Sequence, residues 1–199
     1  MDTNIVYNTD CIDGMQELPD ESIDLIVTSP PYDSLRSYND SSEWNWNTFE
    51  GVSEQLIRVL KPGGVIAWNV ADAIVEVHKG STSKSGSSFK QCLHFMDRGL
   101  NLHDNILYGK YTARFCAGEN SLRHSDVYEY CFILSKGRPK SINLLRDKKN
   151  KHYGTAYKKG GARKKDGTLE GKNDKVHITP EYGIRNNIWY YHNTYTNKE

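Results

Sequence analysis

No C-x-x-C pair and no zinc-like cysteine–histidine spacing occurs among the four cysteines, Cys11, Cys92, Cys116 and Cys131. In this pattern they read as reduced thiols rather than as metal ligands or disulfide partners. The seven histidines match no metal spacing either, so no metal site is assigned. No apolar run approaches the ~18 residues that a membrane span requires. The polar, acidic start Met1-Asp2-Thr3-Asn4 does not read as a signal peptide. These absences point to a cytoplasmic chain with no membrane partner. Phenylalanine is scarce (5) beside tyrosine (13), which favours surfaces that stack and hydrogen-bond at once. Net charge is close to absent, at +1 over 199 residues.

That neutral total hides an asymmetry. Arg146 to Lys175 carries 11 Lys/Arg against 4 Asp/Glu, so the rest of the chain is acidic on balance. A basic block within a neutral protein suggests a polyanionic partner, although a charge run of this composition also reads as a solvated, disordered loop.

Within the first half, the hydrophobic pattern alternates between strands and helices. Ile5-Val6-Tyr7 reads as a short strand with Asn8-Thr9-Asp10 at its tip, and Cys11 to Leu18 has helical spacing. Ile23 to Val27 reads as a second strand, which makes a βαβ unit with parallel strands. Thr48 to Leu60 is an amphipathic helix closed by Lys61-Pro62-Gly63-Gly64, with glycine at a left-handed cap, and Val65 to Val70 is a third buried strand. His78 to Ser88 is low in complexity and reads as flexible. A helix from Phe89 to Arg98 follows, then an antiparallel pair, Asn101 to Lys110 and Val127 to Lys136, joined by a long loop. Val176 to Thr179 and Ile188 to Tyr191 are shorter strand candidates. The sum is an α/β protein with an open, mostly parallel sheet and one antiparallel pair. Ligands in such sheets bind at the carboxyl ends of strands.

One of those ends carries Thr28-Ser29-Pro30-Pro31-Tyr32. Two prolines remove ladder donors and stiffen the exit from the strand, leaving the acceptors around them open to a ligand. Tyr32 adds a flat face with a polar tip. The turn suits a planar group that carries an NH2.

These residues resemble the DNA amino-methyltransferases that act on cytosine N4 or adenine N6. The matching pieces are Thr9-Asp10-Cys11, Leu18 through Tyr32, Leu60 to Gly64, and Tyr128-Glu129-Tyr130 through Pro139. Their order is that of the permuted subgroup, in which the catalytic motif precedes the main cofactor motif. The resemblance implies a Rossmann-like, S-adenosylmethionine-dependent methyltransferase fold, with the expectation that it is incomplete at its C-terminus. It divides the chain into a catalytic domain over residues 1–143, a basic target-recognition insert over 144–187, and the start of a return to the catalytic domain over 188–199. Methyl transfer in restriction-modification or phage/host DNA modification follows from the same resemblance. A non-catalytic nucleic-acid-binding remnant is the alternative.

By resemblance, Ser29, Pro30, Pro31 and Tyr32 are catalytic. Ser29 and the Pro30 carbonyl accept hydrogen bonds from the amine, and Tyr32 stacks on a base flipped out of double-stranded DNA. Asp10, Cys11 and Thr28 are expected beside the cofactor, with a plain helix N-cap as the other reading of Asp10. Contacts to DNA are expected from Arg36, Tyr38, Lys148, Lys149, Lys151, Lys158, Lys159, Arg163, Lys164 and Lys165. Trp44 and Trp46 read equally as DNA-stacking groups or as anchors that pack the loop. Serine before Pro-Pro leans towards cytosine. The family's glycine-rich cofactor turn is absent from these 199 residues. The expectation is therefore a truncated or split enzyme that completes its sheet with a C-terminal complementing chain or as a homo-oligomer.

Overall fold

The fourteen residues from Trp46 to Val59 place Phe49, Val52, Ser53, Leu56 and Val59 on one buried stripe, the three-and-four spacing of a helix lying on a sheet. In the computed structural model, which describes residues 4–32, 44–110, 123–158, 163–168 and 175–191, this stripe organises the larger of two compact units. That unit comprises residues 1–141 and 187–199, and residues 142–186 form the other.

In chain order the larger unit contains helix α1 (Cys11–Gln16), strand β1 (Ile23–Thr28), helix α2 (Trp46–Val59), and strands β2 (Leu60–Val70), β3 (Ile74–His78) and β4 (Ser81–Lys84). Helix α3 (Ser87–Asp97) and strands β5 (Asn101–Lys110) and β6 (Tyr128–Ser135) follow. The smaller unit holds β7 (Lys148–Lys149), β8 (Ala156–Lys158), β9 (Val176–Ile178) and β10 (Tyr182–Gly183), and the chain then returns as β11 (Ile188–Tyr191).

Five strands form one sheet in the order β1-β2-β6-β5-β11. β1 runs parallel to β2 and β11 parallel to β5, while β6 is antiparallel to both of its neighbours. Four of the five strands therefore share a direction, and the sheet is mostly parallel. Gly109 on β5 lies beneath the ring of Tyr190 on β11, where an added Cβ would meet ring carbons at 2.7 Å and 2.8 Å. Only glycine lets this pair of strands close.

Register sorts the side chains of the central strands onto two faces. Ile66, Trp68 and Val70 of β2 lie opposite Leu134, Phe132 and Tyr130 of β6 and join the buried core with Phe49, Leu56 and Phe95. Trp68 meets Phe49 and Phe95 at ring-centroid distances of 5.9 Å and 5.2 Å. On the opposite face β1 presents Leu25 and Val27, which remain 61% and 73% exposed. Helices α2 and α3 bury side chains toward the first face, and Ile12 and Met15 of α1 pack, partly buried, against the same core.

Helix ends are closed by side chains. The Asn45 carboxamide accepts from the Thr48 amide at 3.0 Å at the start of α2. Asp72 accepts from the Ser88 amide and hydroxyl, both at 2.9 Å, in the first turn of α3. Arg58 near the end of α2 donates to the Met15 and Leu18 carbonyls and to Asp20, which ties α1 to α2.

Four expectations from the sequence are corrected here. Ile5-Val6-Tyr7 is not a strand: it joins no sheet among the described residues, and Val6 is 95% exposed. Asp10 therefore sits at the start of a helix and not at a strand tip. The Pro62-Gly63-Gly64 run does not cap α2, because Leu60 ends that helix in extended geometry and starts β2 directly. Gly63 (φ +80°) instead belongs to a bulge in β2, where its amide donates to the Lys136 carbonyl at 2.6 Å and its carbonyl accepts from the Lys140 amide at 3.0 Å. The stretch read as flexible from His78 onward contains β4, which pairs with β3 as a hairpin turning at Gly80 (φ +75°).

The Trp68 indole donates to Gln91 at 2.9 Å inside the core. Trp68→Phe keeps most of the ring area but leaves the buried carboxamide unpaired, a cost of about 1–3 kcal/mol. Urea unfolding should register that loss, and adding Gln91→Leu to Trp68→Phe should recover part of it.

Candidate active site at one end of the sheet

Strand direction determines which residues meet. The carboxyl ends of β1, β2 and β5 and the amino end of β6 all lie at the same edge of the sheet. Ser29 to Tyr32 leave the end of β1, Asn69 lies near the end of β2, Lys110 ends β5 and Glu129 lies at the start of β6. Four separate strand termini thus converge on one site.

The Pro-Pro turn brings Tyr32 back over its own strand exit. Pro30 is buried, Pro31 and Tyr32 are half-buried, and Ser29 is exposed. The Tyr32 hydroxyl is the hub. It lies 2.7 Å from the Ser29 hydroxyl, donates to the Glu129 carboxylate at 3.0 Å, and accepts from the Asn69 amide at 2.6 Å. Asn69 also donates to Glu129 at 2.7 Å, and Lys110 donates to the other Glu129 oxygen.

The charges follow the same geometry. Burial chiefly pushes the Tyr32 hydroxyl up to about 12; the Ser29 hydrogen bond opposes it, the charge and hydrogen bond of Glu129 add to it, and Asn69 opposes it least. It stays protonated under any ordinary condition. Burial alone would raise the Glu129 carboxyl, but the hydrogen bonds from Lys110 and Asn69 and the Lys110 charge outweigh it and hold the group below its usual range. Glu129 is therefore a carboxylate, able only to accept.

Sequence reasoning misses Asn69, Lys110 and Glu129 as site residues. Two of them carry a signal: Asn69 interrupts the apolar run Val65 to Val70, and Glu129 is the one charged residue in Tyr128 to Ser135. A polar group inside a half-buried strand needs a partner, and here it has one.

Of the remaining expected site residues in the larger unit, Thr28 lies at the same strand end and the other described ones do not join this network. Asp10 caps α1, accepting from the Ile12 and Asp13 amides at 2.8 Å and 3.4 Å. Cys11 follows it, its thiol pushed up by burial and by the Asp10 charge. Thr28 ends β1. Trp46, the first residue of α2, packs on Phe49 and His94, and Trp44 on Phe49. Arg36, Tyr38 and Lys159 lie outside the described residues, as does Cys116.

The smaller unit, considered alone, displays Lys148, Lys149, Lys151, Lys158, Arg163, Lys164 and Lys165 as exposed side chains. Among its described residues none is buried. Polar contacts hold it instead, with β7 paired to β10 and β8 to β9. Asn150 donates from its side chain to the Pro180 carbonyl and from its amide to the Glu181 carbonyl, both at 2.8 Å. Arg185 forks onto both oxygens of Asp147.

Known proteins fit this arrangement. A curated relative, the orphan methyltransferase M.BamHII of Bacillus amyloliquefaciens, is 46% identical over 175 residues, which is 87% of this chain and 61% of that protein. The type II methyltransferase M.BamHI of the same organism is 36% identical over 152 residues, 73% of this chain and 32% of that one. The chain thus spans about three fifths or less of the length of these two relatives. Among solved structures, the PvuII DNA methyltransferase (cytosine-N4-specific) superposes with a TM-score of 0.57 at 16% identity, over 97% of this chain and 58% of that one. A putative DNA modification methylase of Thermus thermophilus, solved in complex with S-adenosyl-L-methionine, superposes with a TM-score of 0.50 at 20% identity, over 68% of this chain and 54% of its own. The fold is thus the α/β fold of these methyltransferases. The family model N6_N4_Mtase, described as DNA methylase, matches residues 23–199, and the chain belongs to that family.

Proposed function

We propose that this chain forms the target-base half of a DNA amino-methyltransferase of the restriction-modification kind. The observation that carries the reading is the exposed Ser29 hydroxyl, held 2.7 Å from the Tyr32 hydroxyl at the carboxyl end of a parallel strand. An exocyclic amine is a poor nucleophile because its lone pair is delocalised into the ring. Two acceptors, the Ser29 oxygen and the Pro30 carbonyl, draw on its two protons and return that pair to nitrogen. Fixed acceptors of this kind act through placement and electrostatics, without a covalent enzyme intermediate. Tyr32 offers its ring to the flipped base, an interaction worth ~1–3 kcal/mol for aromatic stacking on a base.

S-adenosylmethionine, when bound, supplies an electrophilic methyl group. The residues present fit part of it. Asp10 uses one carboxylate oxygen to cap α1, and its other oxygen, the Cys11 backbone beside it and Thr28 at the end of β1 are assigned to the cofactor. Serine before Pro-Pro and the cytosine-N4 designation of the PvuII enzyme favour cytosine over adenine as the target. Arg36 and Tyr38 are assigned to the displaced nucleotide, and the lysines and arginine from 148 to 165 to DNA phosphates.

The partner follows from the uncovered face of the sheet. Leu25 and Val27 stand exposed there, and the sequence holds no glycine-rich cofactor turn. A further polypeptide segment carrying that turn would bury these side chains and supply the other half of the donor site.

Two outcomes are expected and a third would exclude the complementing segment, which is supplied wherever methyl transfer is assayed. Ser29→Ala should lower transfer of labelled methyl to DNA by ~10²-fold, as loss of one preorganised hydrogen bond does. It should leave DNA retention in a filter assay nearly unchanged, and DNA retention without transfer in the unmutated chain, even with the complementing segment supplied, would favour a binding module instead. Changing Lys148, Lys149 and Lys151 to Gln should flatten the dependence of log K on log salt by about 0.9 for each phosphate that is no longer neutralised. In sedimentation, a chain that is monomeric, cooperatively folded and binds S-adenosylmethionine at micromolar affinity would rule out the complementing segment.

A further inference from the structure

The hydroxyl protons around Tyr32 can be placed by elimination. Glu129 is ionised and cannot donate, and its Oε2 lies 3.0 Å from the Tyr32 hydroxyl. Two oxygens at that separation need a proton between them, so the single Tyr32 proton points at Glu129. Asn69 turns its amide nitrogen to both oxygens, at 2.6 Å to Tyr32 and 2.7 Å to Glu129. That orientation is the one these two acceptors require. The Tyr32 oxygen then has one acceptor position left, and the Ser29 hydroxyl lies 2.7 Å from it. Ser29 must donate there. Its lone pairs are left facing outward, toward whatever enters the site.

We propose that Glu129 is a positioning residue that acts through Tyr32 to fix Ser29 as a hydrogen-bond acceptor, so that the site takes an NH2 group and disfavours a carbonyl. A free serine hydroxyl is ambivalent, able to rotate and present either its proton or its oxygen. In this relay the carboxylate removes the choice: Glu129 takes the tyrosine proton, and Tyr32 takes the serine proton. Lys110 holds the other Glu129 oxygen and keeps the group charged, with its ammonium also 5.9 Å from the centre of the Tyr108 ring. Among the described residues the titratable and polar groups that shape Glu129 are thus Tyr32, Asn69 and Lys110. The inference rests on the methyltransferase reading for its consequence, though not for its hydrogen-bond logic.

Glu129→Gln is the decisive variant because it preserves shape and reverses polarity. Its carboxamide can donate to Tyr32, which releases the tyrosine proton toward Ser29 and turns the serine proton outward to face the incoming amine. Two readouts are taken on the full chain. In the first, tyrosine ring-labelled protein is titrated by carbon NMR, with Tyr32 assigned by Tyr32→Phe. Loss of the neighbouring negative charge should let Tyr32 ionise at distinctly lower pH in Glu129→Gln, and an unchanged Tyr32 titration would overturn the relay. In the second, methyl transfer is followed with the complementing segment supplied, under saturating and limiting DNA. The variant should lose at least roughly tenfold in kcat with KM little altered, the sign of an interaction made in the transition state. Glu129→Gln and Tyr32→Phe together should be no slower than Tyr32→Phe alone, since both cut one path. Equal kcat in Glu129→Gln and the unmutated chain, or additive losses in the pair, also overturns the proposal. If the unmutated chain transfers no methyl even with the complementing segment supplied, the function proposed above falls, while the NMR titration still decides how Ser29 is oriented.

Discussion

β2 determines most of what surrounds it. It lies between β1 and β6, and its side chains alternate between two faces because a strand has a period of two. Ile66, Trp68 and Val70 go to the helices, while Asn69 goes to the opposite face with Glu129. The core and the candidate site are therefore two sides of one strand, and adjacent residues serve each. A slip of one residue would put Asn69 into the aromatic cluster and Trp68 among the charges. The burial of Trp68 between Phe49 and Phe95 is what makes that slip expensive. Precision in the core thereby sets the position of an amide that must reach Tyr32 within a few tenths of an ångström.

Much of the larger unit is legible from periodicity. The stripe through Phe49, Val52 and Leu56, the β1 run and the β5–β6 pair follow from spacing alone, and the Ser-Pro-Pro-Tyr turn follows from proline chemistry. The failures have a common cause. Ile5-Val6-Tyr7 has the composition of a strand, but a strand exists only where a neighbour offers its backbone. Gly63 can end a helix or shape a bulge, and local sequence does not distinguish the two. Of the β3–β4 hairpin, β4 is built from serine, threonine and lysine just after Gly80, a composition that on statistics alone suggests a loop. The site divides in the same way. Ser29 and Tyr32 announce themselves within four residues, whereas Asn69, Lys110 and Glu129 come from three other strands and meet only through topology.

The two units are stabilised by different means. The larger one has an aromatic core and capped helices, and the smaller has exposed cations held by short ladders, an Asp147–Arg185 fork and the Asn150 bridges. Among the described residues of the smaller unit no side chain is buried, which suits it poorly to specifying a single rigid shape but leaves Lys148, Lys149, Lys151, Lys164 and Lys165 on its surface, where a polyanion can reach them.

The pairing of β11 with β5 gives the smaller unit a particular freedom. Ile188 to Tyr191 align with Leu107 to Lys110, with Tyr190 packed directly over Gly109, so the chain that leaves the larger unit is returned to a fixed address on it. Everything between is an excursion whose ends are clamped by the sheet. Closing such an excursion becomes only ~0.6 kcal/mol harder for each doubling of its length. Evolution can therefore lengthen, shorten or replace this segment at little thermodynamic expense, changing what the surface recognises without disturbing the strands that carry Ser29, Asn69 and Glu129.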